Sequence, residues 1–178
     1  QLLMKKIIVT GGSGFFGINW FCKTSNKYIN YLVKNKTSFK INKKNTVTVD
    51  LSKKIKIEKI IKDIKPDFII HAAAKTNLDI SKKKSIIEKK IQFKITKNIV
   101  DICKKKKIPL IFISSDQLYD GKNKSKYLEK DSLNPINWYA ESKRECENLI
   151  KKLKKSTIIR TNFFGWAPVV RKSFSDFI

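Results

Sequence analysis

The chain has 178 residues, the size of a single domain, and 41% of them are hydrophobic, which is enough to bury a core. Its formal net charge of +25 raises the question of a nucleic-acid partner. Arginine occurs only at 144, 160 and 171 and no basic patch is interleaved with aromatics, so an overused, solvated lysine surface accounts for the charge and no specific nucleic-acid partner is expected.

Gln1-Leu2-Leu3 precedes Met4 and is set aside from the fold reasoning. The apolar run Ile7-Ile8-Val9 is too short for a signal core, and no run approaches the roughly 20 apolar residues of a membrane helix. Cys22, Cys103 and Cys146 show no metal or redox spacing, so we read them as reduced thiols of a cytoplasmic protein without a metal. Lys5–Thr10 reads as a first, buried strand, and a helix is expected from about Gly14 to Lys23. Strands follow at Tyr28–Val33 and Thr46–Asp50, then a helix over Lys54–Ile64 that stops before Pro66. Asp67–Ala72 reads as a fourth strand and Ser85–Lys106 as a long amphipathic helix. Pro109–Ser114 is a fifth strand, and Asn134-Pro135 offers an N-cap and first-turn proline for a helix to about Lys154. Thr157–Arg160 is the sixth strand. Short strands alternating with helices imply parallel pairing through right-handed crossovers, hence an α/β, doubly wound Rossmann-type sheet.

Between the first strand and helix, Thr10-Gly11-Gly12-Ser13-Gly14-Phe15-Phe16-Gly17 places Gly11, Gly14 and Gly17 three residues apart. One glycine permits a turn with positive φ, the next lets backbone approach a pyrophosphate, and the last allows close helix packing. The helix start supplies N–H donors and a favourable dipole. This is a dinucleotide-binding pattern, and Phe15 and Phe16 lie within it. An NAD site places an acid about 20 residues on to bind the ribose. The corresponding stretch here is Lys34-Asn35-Lys36, whose cations favour the 2′-phosphate of NADP over NAD. Asp50, with Leu51 beside it, has two readings: acceptor for the adenine amino group, or N-cap of the following helix.

In Tyr139-Ala140-Glu141-Ser142-Lys143, the Tyr and Lys are four apart and share a helix face, with Cβ atoms about 5–6 Å apart. A free phenol titrates near 10, so bringing it to neutrality needs about 4 kcal/mol. An ammonium ~4 Å away supplies about 1 kcal/mol in water and about 4 at an effective dielectric near 20. The pair is therefore expected to work in a partly desolvated cleft. The fifth strand ends in two serines, Ser114-Ser115, followed by Asp116-Gln117, at the carboxyl edge where such sheets bind ligands, and a hydroxyl there can stabilise a developing oxyanion.

Glycine turn, strand-end serine and Tyr–Lys helix in this order resemble the extended short-chain dehydrogenase/reductase family, from Lys5 to Phe164. Within it the chain is most similar to the sugar-nucleotide reductases of the dTDP-4-dehydrorhamnose reductase type. The pieces are residues 66–76 (PDFIIHAAAKT), Ser114-Ser115-Asp116 with Asp120-Gly121, Asn134-Pro135 before Tyr139, and Ile159-Arg160-Thr161. The resemblance implies that Ser115 meets the substrate carbonyl, that Tyr139 donates a proton, and that Lys143 serves the nicotinamide ribose and the tyrosine's pKa. It implies Ala72, Ala73, Ala74 and Thr76 along the cofactor, and Ser115, Asp116, Gln117 and Asn162 on the substrate side. His71, the single histidine, is read as core.

Gln92 stands where many relatives have Asn, which puts a supporting hydrogen-bond network in question. Gln117 stands where the 4,6-dehydratases of the family carry a proton-abstracting Glu, and an amide cannot be that base. The expectation is NADP- or NAD-dependent reduction of a nucleotide-linked 4-keto-6-deoxy sugar for cell-surface polysaccharide synthesis. The alternatives are an NAD-dependent epimerase, a non-catalytic dinucleotide-binding regulatory subunit, or a lysine-rich nucleic-acid binder. The resemblance further implies a dinucleotide-binding domain over 4–162, and a truncated substrate-binding region, 163–178, in a fragment that turns over poorly. A homodimer is compatible with this reading.

Overall fold

A computed structural model of the chain describes residues 4–35, 45–123 and 125–165. Lys36, Trp166, Arg171 and most of the expected C-terminal region lie outside the described residues. The strands are β1 (Lys6–Thr10), β2 (Ile29–Lys34), β3 (Thr46–Thr48), β4 (Phe68–His71), β5 (Leu110–Ile113) and β6 (Ser156–Ile159). They form one sheet in the order β3-β2-β1-β4-β5-β6, and every pairing is parallel. The helices are α1 (Phe15–Thr24), α2 (Lys54–Ile64), α3 (Lys82–Lys106) and α4 (Trp138–Ile150), with a short 3-10 turn over Asp116–Leu118. The doubly wound sheet expected from the alternation is the one that forms.

Strand periodicity divides the core between the two faces. Ile7 and Val9 of β1 join Leu32, Ile70 and Ile113 beneath Phe16, Trp20 and Phe21 of α1. Ile8 points the other way, into a larger cluster with Val33, Ile69, Leu110 and Phe112, closed by Ile57 and Ile61 of α2, Ile99 and Ile102 of α3, and Ile150 of α4. All strands being parallel, their carboxyl ends share one edge, and the chain reverses its direction of winding between β1 and β4. That switch point is the crevice where such sheets take ligands.

Several boundaries differ from those expected. β3 ends at Thr48, two residues short of Asp50: the Val49 N–H still donates to the Lys34 carbonyl of β2 at 2.8 Å, and the Asp50 carbonyl turns to accept the Lys53 N–H at 3.1 Å ahead of α2. α2 keeps its expected span, Lys54–Ile64, and Lys65 before Pro66 closes it in the left-handed region at φ 52°. α3 begins one turn early, where the Ser81 hydroxyl accepts the N–H of Lys84. Asn134 and Pro135 do not start α4. The side chain of Asn134 donates to Asp120 at 2.9 Å and its N–H to the Leu118 carbonyl, so it belongs to the preceding loop. Asn137 is the cap, accepting the Ala140 N–H at 2.8 Å, and the helix ends at Ile150, short of Lys154.

One ion pair ties these elements together. Glu147 of α4 has no solvent exposure, and its carboxylate receives Arg160 Nε at 3.0 Å and Nη2 at 2.8 Å as a two-pronged contact. The Ser114 hydroxyl, at the end of β5, donates to the same carboxylate at 2.7 Å. Arg160 also donates to the Tyr119 hydroxyl at 2.7 Å and to the Glu129 carbonyl at 3.0 Å. Arginine and serine hold the Glu147 carboxyl below the usual range against the opposing effect of burial. Removing one member of such a pair strands a buried charge. We expect Arg160→Leu to cost about 3–5 kcal/mol in urea unfolding at pH 7. Without its arginine the buried carboxyl is pushed above the usual glutamate range, so the deficit should shrink as pH falls through that raised value and the stranded group takes up a proton.

Candidate active site

The glycine turn enters the crevice directly from β1. Gly11 has φ 72°, and a Cβ there would lie 2.8–2.9 Å from the backbone of Ala72 and Ala73, so the turn and the segment after β4 are in contact. Gly12, which the spacing pattern passed over, is as constrained: a Cβ would meet Leu32 of β2 at 2.7 Å. Gly14 precedes α1 with no side-chain cap and no acid in the helix's first turn, leaving the N–H groups of Phe15, Phe16 and Gly17 without a side-chain acceptor among the described residues. Such a helix start suits an anion. Ala72 to Ala74 line the adjoining edge, and Thr76 is exposed beyond them.

Asp50 does not cap α2. Its carboxylate accepts the Ser52 N–H at 2.9 Å, Lys53 occupies the cap position without capping, and the two hydrogen bonds from Ser52 lower the Asp50 pKa. The N-cap reading is therefore excluded. Leu51, grouped with Asp50 as cofactor-binding, turns its side chain into the core, 8% exposed. Its carbonyl accepts from Asn98 at 3.2 Å.

Beneath the crevice lies a buried polar chain. Thr10 Oγ1 accepts the Ala73 N–H at 3.2 Å and pairs with His71 Nδ1 at 2.7 Å. His71 Nε2 meets Thr96 Oγ1 at 3.0 Å, and Cys146 Sγ donates to the same hydroxyl at 3.3 Å. Burial, with help from the Lys143 charge, lowers His71 to about 3, so it is a neutral strut, as a core residue should be. Thr10 and Thr96 carried no signal in the sequence, since a buried hydroxyl is recognised only by what packs against it.

The catalytic candidates meet at the ends of β5 and α4. Ser115 Oγ donates to Asp116 at 3.2 Å and accepts the Gln117 N–H at 3.2 Å. Lys143, only 3% exposed, donates to the Ile113 carbonyl at 2.7 Å, with Nζ 4.6 Å from the Phe112 ring centroid and 5.7 Å from that of Tyr139. Burial lowers Lys143 to about 8, with Cys146 and Glu147 acting in the opposite direction. Tyr139 does not follow the expectation of a depressed phenol. Burial, then the Asp116 charge, push it up to about 12 against the lowering effect of Ser115. Desolvation disfavours the phenolate itself, and here the ammonium is spent on a carbonyl.

Gln92 restores the network its identity put in question. Its carbonyl accepts the Lys75 N–H at 3.1 Å and its amide donates to Ser142 at 3.0 Å, joining the segment after β4 to α4. Asn162, exposed after β6, accepts the Phe163 N–H at 2.9 Å. The Phe163 ring packs on Phe15 and Phe16 at centroid distances of 6.1 and 5.5 Å, bringing the chain after β6 beside the glycine turn. Sequence reasoning missed Glu147 as a support. Its spacing of four from Lys143 was the available signal. An open groove of about 390 Å³ lies at the opposite edge, lined by Ile61, Lys62, Lys65, Pro66, Lys106 and Ile108, remote from these residues.

The model of the RmlD substrate binding domain family matches residues 4–166. The chain belongs to this family. Among curated relatives, it is 31% identical to a dTDP-D-glucose 4,6-dehydratase of Dictyostelium discoideum, over 88% of this chain and 42% of that protein. It is 30% identical to a dTDP-4-dehydrorhamnose reductase of Aggregatibacter actinomycetemcomitans, over 66% of this chain and 40% of that one. A dTDP-4-dehydrorhamnose reductase of Bacillus anthracis, solved in complex with NADP, superposes with a TM-score of 0.76 at 25% identity, covering 90% of this chain and 55% of its own. The chain thus spans about half the length of the relatives it matches.

In this member of the RmlD family, Lys143 makes a test of the site's electrostatics. At about 1.4 kcal/mol per pKa unit, a fall from 10.5 to about 8 corresponds to roughly 3 kcal/mol against the buried ammonium. The folded chain binds this proton less tightly than the unfolded one, so the group's contribution to stability rises with pH between about 8 and 10.5. We expect Lys143→Met, without nucleotide, to be about 1–3 kcal/mol more stable than wild type at pH 7. Urea unfolding curves of the two should converge as pH approaches 10.5.

Proposed function

We propose that this chain binds NADP, or NAD, through the glycine turn and reduces the keto group of a nucleotide-linked 4-keto-6-deoxy sugar. The observation that carries the reading is the convergence of Ser115, Tyr139 and Lys143 on one sheet edge, beside a helix start with no capping side chain. The reductase relatives and the NADP-bound neighbour support it. Gly11, Gly14, Phe15, Phe16 and Gly17 would hold the pyrophosphate, Asp50 the adenine, and Ala72, Ala73, Ala74 and Thr76 the remaining edge. We assign 4–162 to the dinucleotide-binding unit and 163–178 to the start of the substrate-binding portion. No described helix is long and apolar enough to cross a membrane. From the enzyme relatives we infer a cytoplasmic location.

When bound, the reduced cofactor supplies a hydride for the carbonyl carbon. Ser115 would donate a hydrogen bond to the carbonyl oxygen, and Tyr139 would deliver the proton that completes the alcohol. A phenol held near 12 stays protonated at neutral pH, which is the form a proton donor needs. Lys143, released from the Ile113 carbonyl, would bind the nicotinamide ribose and offset the charge left on Tyr139. Asp116, Gln117 and Asn162 would meet the sugar, and Gln117 offers no base for dehydration.

Incubation with a thymidine-diphosphate-linked 4-keto-6-deoxy sugar and NADPH should give loss of NADPH absorbance matched to alcohol formed. Sugar interconversion without net NADPH oxidation would replace this reading with an epimerase. Tyr139→Phe should reduce turnover at least 100-fold, as loss of a general acid does. NADPH affinity, measured by fluorescence titration, should stay within a factor of about two.

A further inference from the structure

Two side-chain amides at the mouth of the site settle each other's orientation. Asn137 caps α4 by accepting the Ala140 N–H at 2.8 Å, and only its oxygen can do so. Its NH2 is therefore the end that meets Gln117, at 3.0 Å, and the Gln117 atom it meets must be oxygen. The NH2 of Gln117 is turned away from Asn137 and has no acceptor among the described residues. The backbone N–H of Gln117 is bonded to Ser115 Oγ, and its neighbour Asp116 is close enough to Tyr139 to raise its pKa, so residue 117 stands within the same cluster. The next residue along α4, Trp138, has a buried indole N–H that also lacks a partner among the described residues.

We infer that Gln117 faces the substrate only as a hydrogen-bond donor, and that Asn137 is the positioning residue that holds it so. Building on the reductase reading, the ligand group is an acceptor oxygen of the sugar, either carbonyl or ring oxygen. The Gln117 oxygen is turned toward Asn137, so a sugar hydroxyl offered as a donor meets the wrong end of this amide.

Asn137→Asp keeps an oxygen on the cap but replaces the NH2 facing Gln117 with a second oxygen. Gln117 then turns its own NH2 inward and presents oxygen to the substrate. The expected result is a KM for the thymidine-diphosphate-linked 4-keto-6-deoxy sugar raised about tenfold or more, with NADPH affinity and Tm unchanged. Gln117→Glu, which preserves an acceptor for Asn137 while removing the outward donor, should raise the same KM. A Tm loss in either variant with KM unchanged would reduce the pair to a structural contact and overturn the inference. A readout without substrate separates this from the proposed activity. In 15N-labelled wild type, the Asn137 NH2 should exchange slowly and that of Gln117 fast, each assigned by its disappearance in the corresponding variant. The reverse order would overturn the orientation even in an active enzyme. An inactive wild type showing the expected order would overturn the reductase reading and leave the orientation standing.

Discussion

The Glu147 carboxylate sits out of water between the ends of two strands, and the geometry of the site depends on it. A lone buried carboxylate would be too costly to keep ionised, so its partners are dictated: the Arg160 fork and the Ser114 hydroxyl. Those partners come from the residue just after β6 and the residue just after β5, the latter immediately before Ser115. The glutamate lies one helical turn beyond Lys143 on α4. A single carboxylate thereby registers the helix carrying Tyr139 and Lys143 against the strand end carrying Ser115. Arg160 extends the registration through Tyr119 and Glu129 into the loop that leads to α4.

That loop is organised by charge of another kind. Asp120 collects the Tyr127 hydroxyl at 2.7 Å, the Lys122 N–H at 3.1 Å and the Asn134 amide at 2.9 Å, which together lower its pKa to about 2. The Tyr119 and Tyr127 rings stack at 4.5 Å above it. Asn134 is drawn into this cluster and cannot cap α4, so the cap passes to Asn137, which then meets Gln117. The identity of the helix cap, the orientation of Gln117 and the hydrogen bonds of Asp120 are consequences of one another.

Tyr139 and Lys143 show the same environment acting in opposite directions on two groups. Burial disfavours the charged form of each, raising the phenol and lowering the ammonium. The lysine is tethered to a backbone carbonyl, and Glu147, the carboxylate that acts on it, already belongs to Arg160. A neutral His71 beneath it adds no further charge. Proton donation is the role such a tyrosine can fill, and the lysine's charge is kept available for a ligand.

Much of this was legible in the order of residues. Strands with a period of two, separated by helices, determined a parallel doubly wound sheet, because no shorter connection can return a chain to a parallel neighbour. The glycine spacing determined the turn, since φ 72° at Gly11 and the backbone contact with Ala72 and Ala73 leave no room for a Cβ. The spacing of four placed Tyr139 and Lys143 on one face. Tertiary structure alone decided which asparagine caps the helix, why Gly12 must be glycine and which way the phenol titrates. Each of these depends on groups brought together from separate elements of the chain, and local periodicity carries no information about what a side chain meets after the sheet has closed.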